Sequence, residues 1–140
     1  MLKWFQKSKK NITPRILIVD DEPDFVSTIR CRLEWNKYEV STASNGKEGL
    51  EKAMAEKPDL ILLDTSMPVM NGHEMLERLR QNTDLQQIPV IMVTALCDVQ
   101  DIEKASRLGI SDYVAKPFDS AELVQKIANV LKEKSPTAAK

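Results

Sequence analysis

Glycine is scarce, with four in 140 residues, and neither Gly46 nor Gly49 leads into Gly-Lys-Ser or Gly-Lys-Thr. Phosphate-cradling loops of the Walker or dinucleotide-binding kind are therefore absent. Histidine occurs once, at His73 behind Asn71-Gly72, where a solvated first-turn residue is expected and neither a catalytic triad nor a zinc site is indicated. The two cysteines, Cys31 in a helical pattern and Cys97 after an apolar run, lack metal-ligand spacing. A bridge between them is neither indicated nor excluded, and reduced thiols in a cytoplasm are the expectation. No apolar run approaches the roughly 20 residues that span a bilayer, and the first residues lack the continuous apolar stretch of a secretory signal. A cytoplasmic location follows as the expectation. Net charge is also missing: at −1 the chain has no overall attraction to nucleic acid or membrane.

One asymmetry stands out. No acidic residue precedes Asp20, whereas Lys3, Lys7, Lys9, Lys10 and Arg15 are basic and Met1, Leu2, Trp4 and Phe5 are apolar. Residues 1–14 thus read as a basic, apolar-tipped leader that is expected to be flexible, with membrane contact not expected of it. Residues 135–140, small and polar, read as a flexible tail.

The stretch between, residues 15–134, is about the size of one domain. Short apolar runs alternate there with amphipathic stretches. Arg15 to Asp20, Asp59 to Asp64 and Pro89 to Thr94 are nearly continuous apolar runs, as expected of parallel strands covered on both faces. Tyr38 to Ala43 and Ser111 to Ala115 look like shorter, outer strands. Helical spacing joins Phe25, Ile29 and Leu33, then Leu76 and Leu79, then Leu123, Ile127, Val130 and Leu131. Helix starts are marked by Asn45 with Glu48, Asn71 with Glu74, and Asp119 with Glu122, and Gly109 suits a left-handed stop. The expected fold is α/β: a five-stranded parallel sheet, doubly wound, with five helices on both faces and right-handed crossovers. Strand order 2-1-3-4-5 is expected, although the spacing alone does not dictate it.

In such sheets the functional crevice lies at the carboxyl ends of the strands. Here those ends carry Asp20 and Asp21, Asp64, Thr94, and Lys116. A lone strand-end Asp commonly caps the next helix, and Asp21 stands where it could cap Glu22-Pro23-Asp24. Three carboxylates together are different, because like charges a few ångströms apart repel by about 4 kcal/mol per pair at an effective dielectric of 20. A hard cation with oxygen ligands, Mg²⁺ rather than Ca²⁺, suits a site with few protein ligands and room for waters and a phosphate.

Asp20-Asp21-Glu22, the run from Asp64 through Met67-Pro68 and Met70 to Gly72, Thr94-Ala95, and Lys116-Pro117-Phe118 resemble the motifs of response-regulator receiver domains, of the stand-alone chemotaxis-receiver-like type. The resemblance covers roughly Arg15 to Lys132 and implies a flavodoxin-like fold. It also implies that Asp64 accepts a phosphoryl group from a sensor histidine kinase or a histidine phosphotransfer protein. Asp21, Asp64 and the Ser66 carbonyl are implied as direct Mg²⁺ ligands, with Asp20 acting through a coordinated water. Lys116 and Thr94 are implied to contact phosphoryl oxygens, as are the backbone N–H groups of Thr65 and Ala95, and the Lys116-Pro117 peptide is implied to be cis. Thr94 and Tyr113 would be the two-state pair, with the fourth helix, fifth strand and fifth helix as the face that partners read; the plain alternative for Tyr113 is a half-buried strand aromatic. Beyond transfer to itself and loss of the group, no enzyme activity is expected.

Two other classes fit less well. A haloacid-dehalogenase-like phosphatase usually places a second Asp two residues after its nucleophile, and that position is Ser66. A pure interaction module would not need all five pocket residues. Met67 and Met70 flank Pro68 and are expected to pack rather than to bind a soft metal. No basic recognition helix follows Lys134, so direct nucleic-acid binding is not expected.

Overall fold

Five β-strands alternate with five α-helices in a computed structural model that describes residues 13–94, 99–116 and 118–134. In chain order these are β1 (Arg15–Val19), α1 (Pro23–Trp35), β2 (Glu39–Ala43), α2 (Gly46–Glu56), β3 (Leu60–Asp64), α3 (Gly72–Gln81), β4 (Val90–Thr94), α4 (Val99–Arg107), β5 (Asp112–Ala115) and α5 (Ser120–Lys134). Most of the leader, together with Ala95, Leu96, Cys97, Pro117 and the tail, falls outside the described residues. So does the peptide geometry expected at Lys116-Pro117.

All pairings are parallel, as the apolar runs anticipate, and the sheet order is β2-β1-β3-β4-β5, the expected order that spacing alone does not dictate. The three inner strands are buried on both faces, which is why they read as unbroken apolar runs. Alternation still sorts their side chains. Leu17, Val19, Ile61, Leu63, Val90 and Met92 pack with Met75, Leu76 and Leu79 of α3 and Ala105 of α4. Ile16, Ile18, Leu60, Leu62 and Ile91 pack on the opposite face with Ile29 and Leu33 of α1 and Leu123, Ile127 and Val130 of α5.

The helix signals act locally. Asn71 forms a full capping box with Glu74. At α2 the Asn45 side chain accepts from the Glu48 N–H, but the Glu48 carboxylate reaches back to the Ser44 N–H instead, at 2.8 Å. The Asp119 side chain accepts from the Ala121 N–H, while the Glu122 N–H goes to the Asp119 carbonyl. Gly109, with φ of 86°, stands just past α4 in the left-handed region.

Candidate functional site

Register brings the acids together. Val19 is abreast of Leu63 across β1 and β3, so the residues that follow, Asp20 and Asp64, emerge side by side at the carboxyl edge. Asp64 is abreast of Val93, which places Thr94 next in line, and Thr94 is abreast of Ala115, which delivers Lys116. The strand order β2-β1-β3 thus makes neighbours of residues 44 positions apart in the chain.

Asp20, Asp21 and Asp64 can each offer a carboxylate oxygen within 4.8 Å of the others'. Asp20 and Asp64 are buried, as is Thr94, while Asp21 is exposed. The Asp20 Oδ1 accepts from the Glu22 N–H at 2.9 Å. Asp21 does not cap α1: the N-cap residue is Glu22, and its side chain makes no capping bond. Burial, then the charges of Asp20 and Asp21, push the Asp64 carboxyl up to about 6, against the pull of Lys116 and of the Ser66 N–H. Burial also raises Asp20, despite its bonds to Glu22 and Lys116. Two acids that resist ionising beside a third form a site that favours an added cation.

Lys116 is the site's own cation. Its Nζ lies 2.6 Å from Glu22 Oε1, 3.1 Å from Asp20 Oδ2 and 3.8 Å from Asp64 Oδ1. The same nitrogen sits 4.3 Å from the centre of the Phe25 ring. Burial favours loss of its proton, but the bonds to Glu22 and Asp20 and the charge of Asp64 outweigh that and raise its pKa.

The loop after β3 is held close. The Gly72 N–H donates to the Thr65 carbonyl at 3.2 Å, and a Cβ on Gly72 would stand 2.2 Å from the Asp64 carbonyl oxygen. Only glycine fits so near the strand end. The Thr65 N–H donates to the Val93 carbonyl at 3.1 Å, whereas the Ser66 N–H already bonds the Asp64 carboxylate. Met67 and Met70 pack against the core, as their sequence setting suggests. His73 is half-buried in the first turn of α3, less solvated than anticipated. Tyr113 is 41% exposed, its ring outside the core.

Sequence reasoning assigned no role to Glu22 or Phe25. The acidic run Asp20-Asp21-Glu22 was the available signal for the first; nothing in spacing announced that Lys116, 94 residues later, would bond it.

Residues 16–128 match the family described as response regulator receiver domain. The chain belongs to that family. This receiver domain is 42% identical over 131 residues to the hybrid signal transduction histidine kinase D of Dictyostelium discoideum, covering 92% of this chain and 8% of that protein. It is 42% identical over 118 residues to the response regulator ArlR of Staphylococcus saprophyticus, covering 84% of this chain and 52% of the relative. A solved CheY-like receiver domain protein of Methanospirillum hungatei superposes with a TM-score of 0.82 at 33% identity, covering 86% of this chain and 95% of that one. The receiver domain therefore spans about half, or far less, of the curated relatives it matches. Its role is that of a phosphoacceptor in two-component signalling, in which receivers take phosphate from histidine kinases. No helix among the described residues is long and apolar enough to cross a membrane.

Proposed function

We propose that Asp64 is the phosphoacceptor, and the observation that carries this is its place between two further carboxylates and the Lys116 ammonium at one strand edge. The donor set fits Mg²⁺: the oxygens are hard, and three carboxylates against one lysine leave excess negative charge for a divalent ion. Asp21, Asp64 and the Ser66 carbonyl are the proposed ligands, with Asp20 acting through water. When bound, the ion neutralises charge on the phosphoryl oxygens and quiets repulsion among the carboxylates.

An Asp64 carboxylate oxygen attacks phosphorus in line as the phosphorus–nitrogen bond of the donor phosphohistidine breaks, and the electron pair of that bond stays on the imidazole. Lys116 and the Thr94 hydroxyl contact two of the equatorial oxygens, where stabilisation matters most. Backbone donors complete the shell: the Ser66 N–H is already on the carboxylate and that of Ala95 is the further candidate, whereas the Thr65 N–H, expected to join them, is taken by the Val93 carbonyl. Thr94 drawn toward the phosphoryl group vacates space for the Tyr113 ring, which changes the face made by α4, β5 and α5. The donor is a sensor histidine kinase or a phosphotransfer protein, and loss of the group is by self-dephosphorylation. Residues 15–134 carry this switch, flanked by the leader and the tail.

The test is mass spectrometry after exposure to acetyl phosphate with and without Mg²⁺, followed by peptide mapping. One Mg²⁺-dependent adduct on Asp64 is expected, absent from Asp64→Asn. An adduct on His73, or one that persists in Asp64→Asn, refutes the assignment.

A further inference from the structure

The Lys116 ammonium is not bonded chiefly to the residue it is expected to serve. At 2.6 Å its shortest partner is Glu22, while Asp64 is 3.8 Å away. Glu22 is the N-cap residue of α1, yet its side chain leaves the helix's own N–H groups uncapped and turns to the lysine. Its backbone is fixed from the other side by Asp20, which accepts the Glu22 N–H. One helical turn on, Phe25 presents its ring face to the same ammonium, and Phe118 holds that ring edge-on at a centroid distance of 5.7 Å. Carboxylate and aromatic face together satisfy a cation from two sides.

We propose that Glu22 and Phe25 form a resting cradle for Lys116, so that Glu22 is a positioning residue competing with the phosphoryl group on Asp64 for the same cation. To reach a phosphoryl oxygen the ammonium must give up its shortest bond. That exchange is reversible because Glu22 is 62% exposed, and an ion pair with so open a partner is weak enough to be traded away. The cradle therefore holds the lysine back until the phosphoryl group arrives, and it lowers the stability of the phosphorylated form by the strength of one exposed ion pair.

The inference rests on Asp64 as the phosphoacceptor, and the test separates the two. Beryllium trifluoride, which coordinates a carboxylate as a phosphoryl mimic, is titrated into the full chain at saturating Mg²⁺ and followed by ¹⁹F NMR. Glu22→Gln should bind the mimic about two- to fivefold more tightly than wild type, the range set by an exposed ion pair. In a Lys116→Met background the same substitution should give no gain, since there is no ammonium to release. Equal or weaker binding by Glu22→Gln overturns the cradle. A gain of the same size without Lys116 also overturns it, because the carboxylate then acts by direct repulsion of the mimic. No saturable binding to wild type would instead remove the Asp64 assignment, and the cradle with it.

Discussion

The raised Asp64 carboxyl should cost the metal-free protein stability at neutral pH, and removing its charge should show this. Its carboxyl stands at about 6 in the folded chain against 3.8 ordinarily, a difference of about 2–3 kcal/mol between protonation states. The direction follows from proton uptake. Below 3.8 the group is protonated in both the folded and unfolded chain and costs nothing; between 3.8 and about 6 the unfolded chain releases the proton that the folded chain keeps. Stability therefore falls as pH rises through that window, and the full cost is present above it. Asp64→Asn, nearly isosteric and uncharged, should unfold later in urea at pH 7.5 with EDTA present, by about 2–3 kcal/mol. Near pH 4 the gain should vanish, because wild-type Asp64 is then neutral too. Equal gains at both pH values, or a less stable Asn variant at pH 7.5, would refute the account of a strained carboxylate cluster.

The lifetime of the phosphoryl group depends on a water approaching in line opposite Asp64. Residues two beyond the phosphoacceptor and two beyond Thr94 are Ser66 and Leu96, neither an acid nor an amide, so self-dephosphorylation should be slow. Leu96→Glu and Ser66→Asn should speed it by up to on the order of 10²-fold, measured as decay of the adduct at constant Mg²⁺; unchanged or slower decay in both would refute the reasoning. Backbone strain in the loop gives a second outcome. Val69 is 76% exposed with φ of 68°, and the Met70 N–H bonds back to the Pro68 carbonyl at 2.7 Å, a three-residue turn that a β-branched residue adopts at a cost. Val69→Gly, which has no Cβ to strain there, should stabilise the fold by up to about 1 kcal/mol in urea unfolding, and a lowered midpoint would show that the loop stores no such strain.

Strand positions, helix faces and the Asn71 cap were legible in the sequence because they depend on residues three or four places apart. Apolar runs bounded by Asp20, Asp64 and Thr94 named the strand ends before any coordinates did. Residue types at those ends were sufficient to imply a cation site, since three carboxylates that meet anywhere repel. Whether they meet is a tertiary matter. It follows from β1 lying between β2 and β3 and from Val19 standing abreast of Leu63, a pairing that spacing did not dictate. The same holds for burial, which is the largest cause of the rise at both Asp64 and Asp20 and which no local pattern measures. Glu22 and Phe25 illustrate the limit most directly. In the chain they are an acidic residue before a proline and an aromatic on the apolar stripe of α1; only the packing of α1 beside the β5–α5 junction brings both to Lys116. Local chemistry was written in the order of residues, whereas the distances that turn it into a site arise from contacts between segments that the chain keeps far apart.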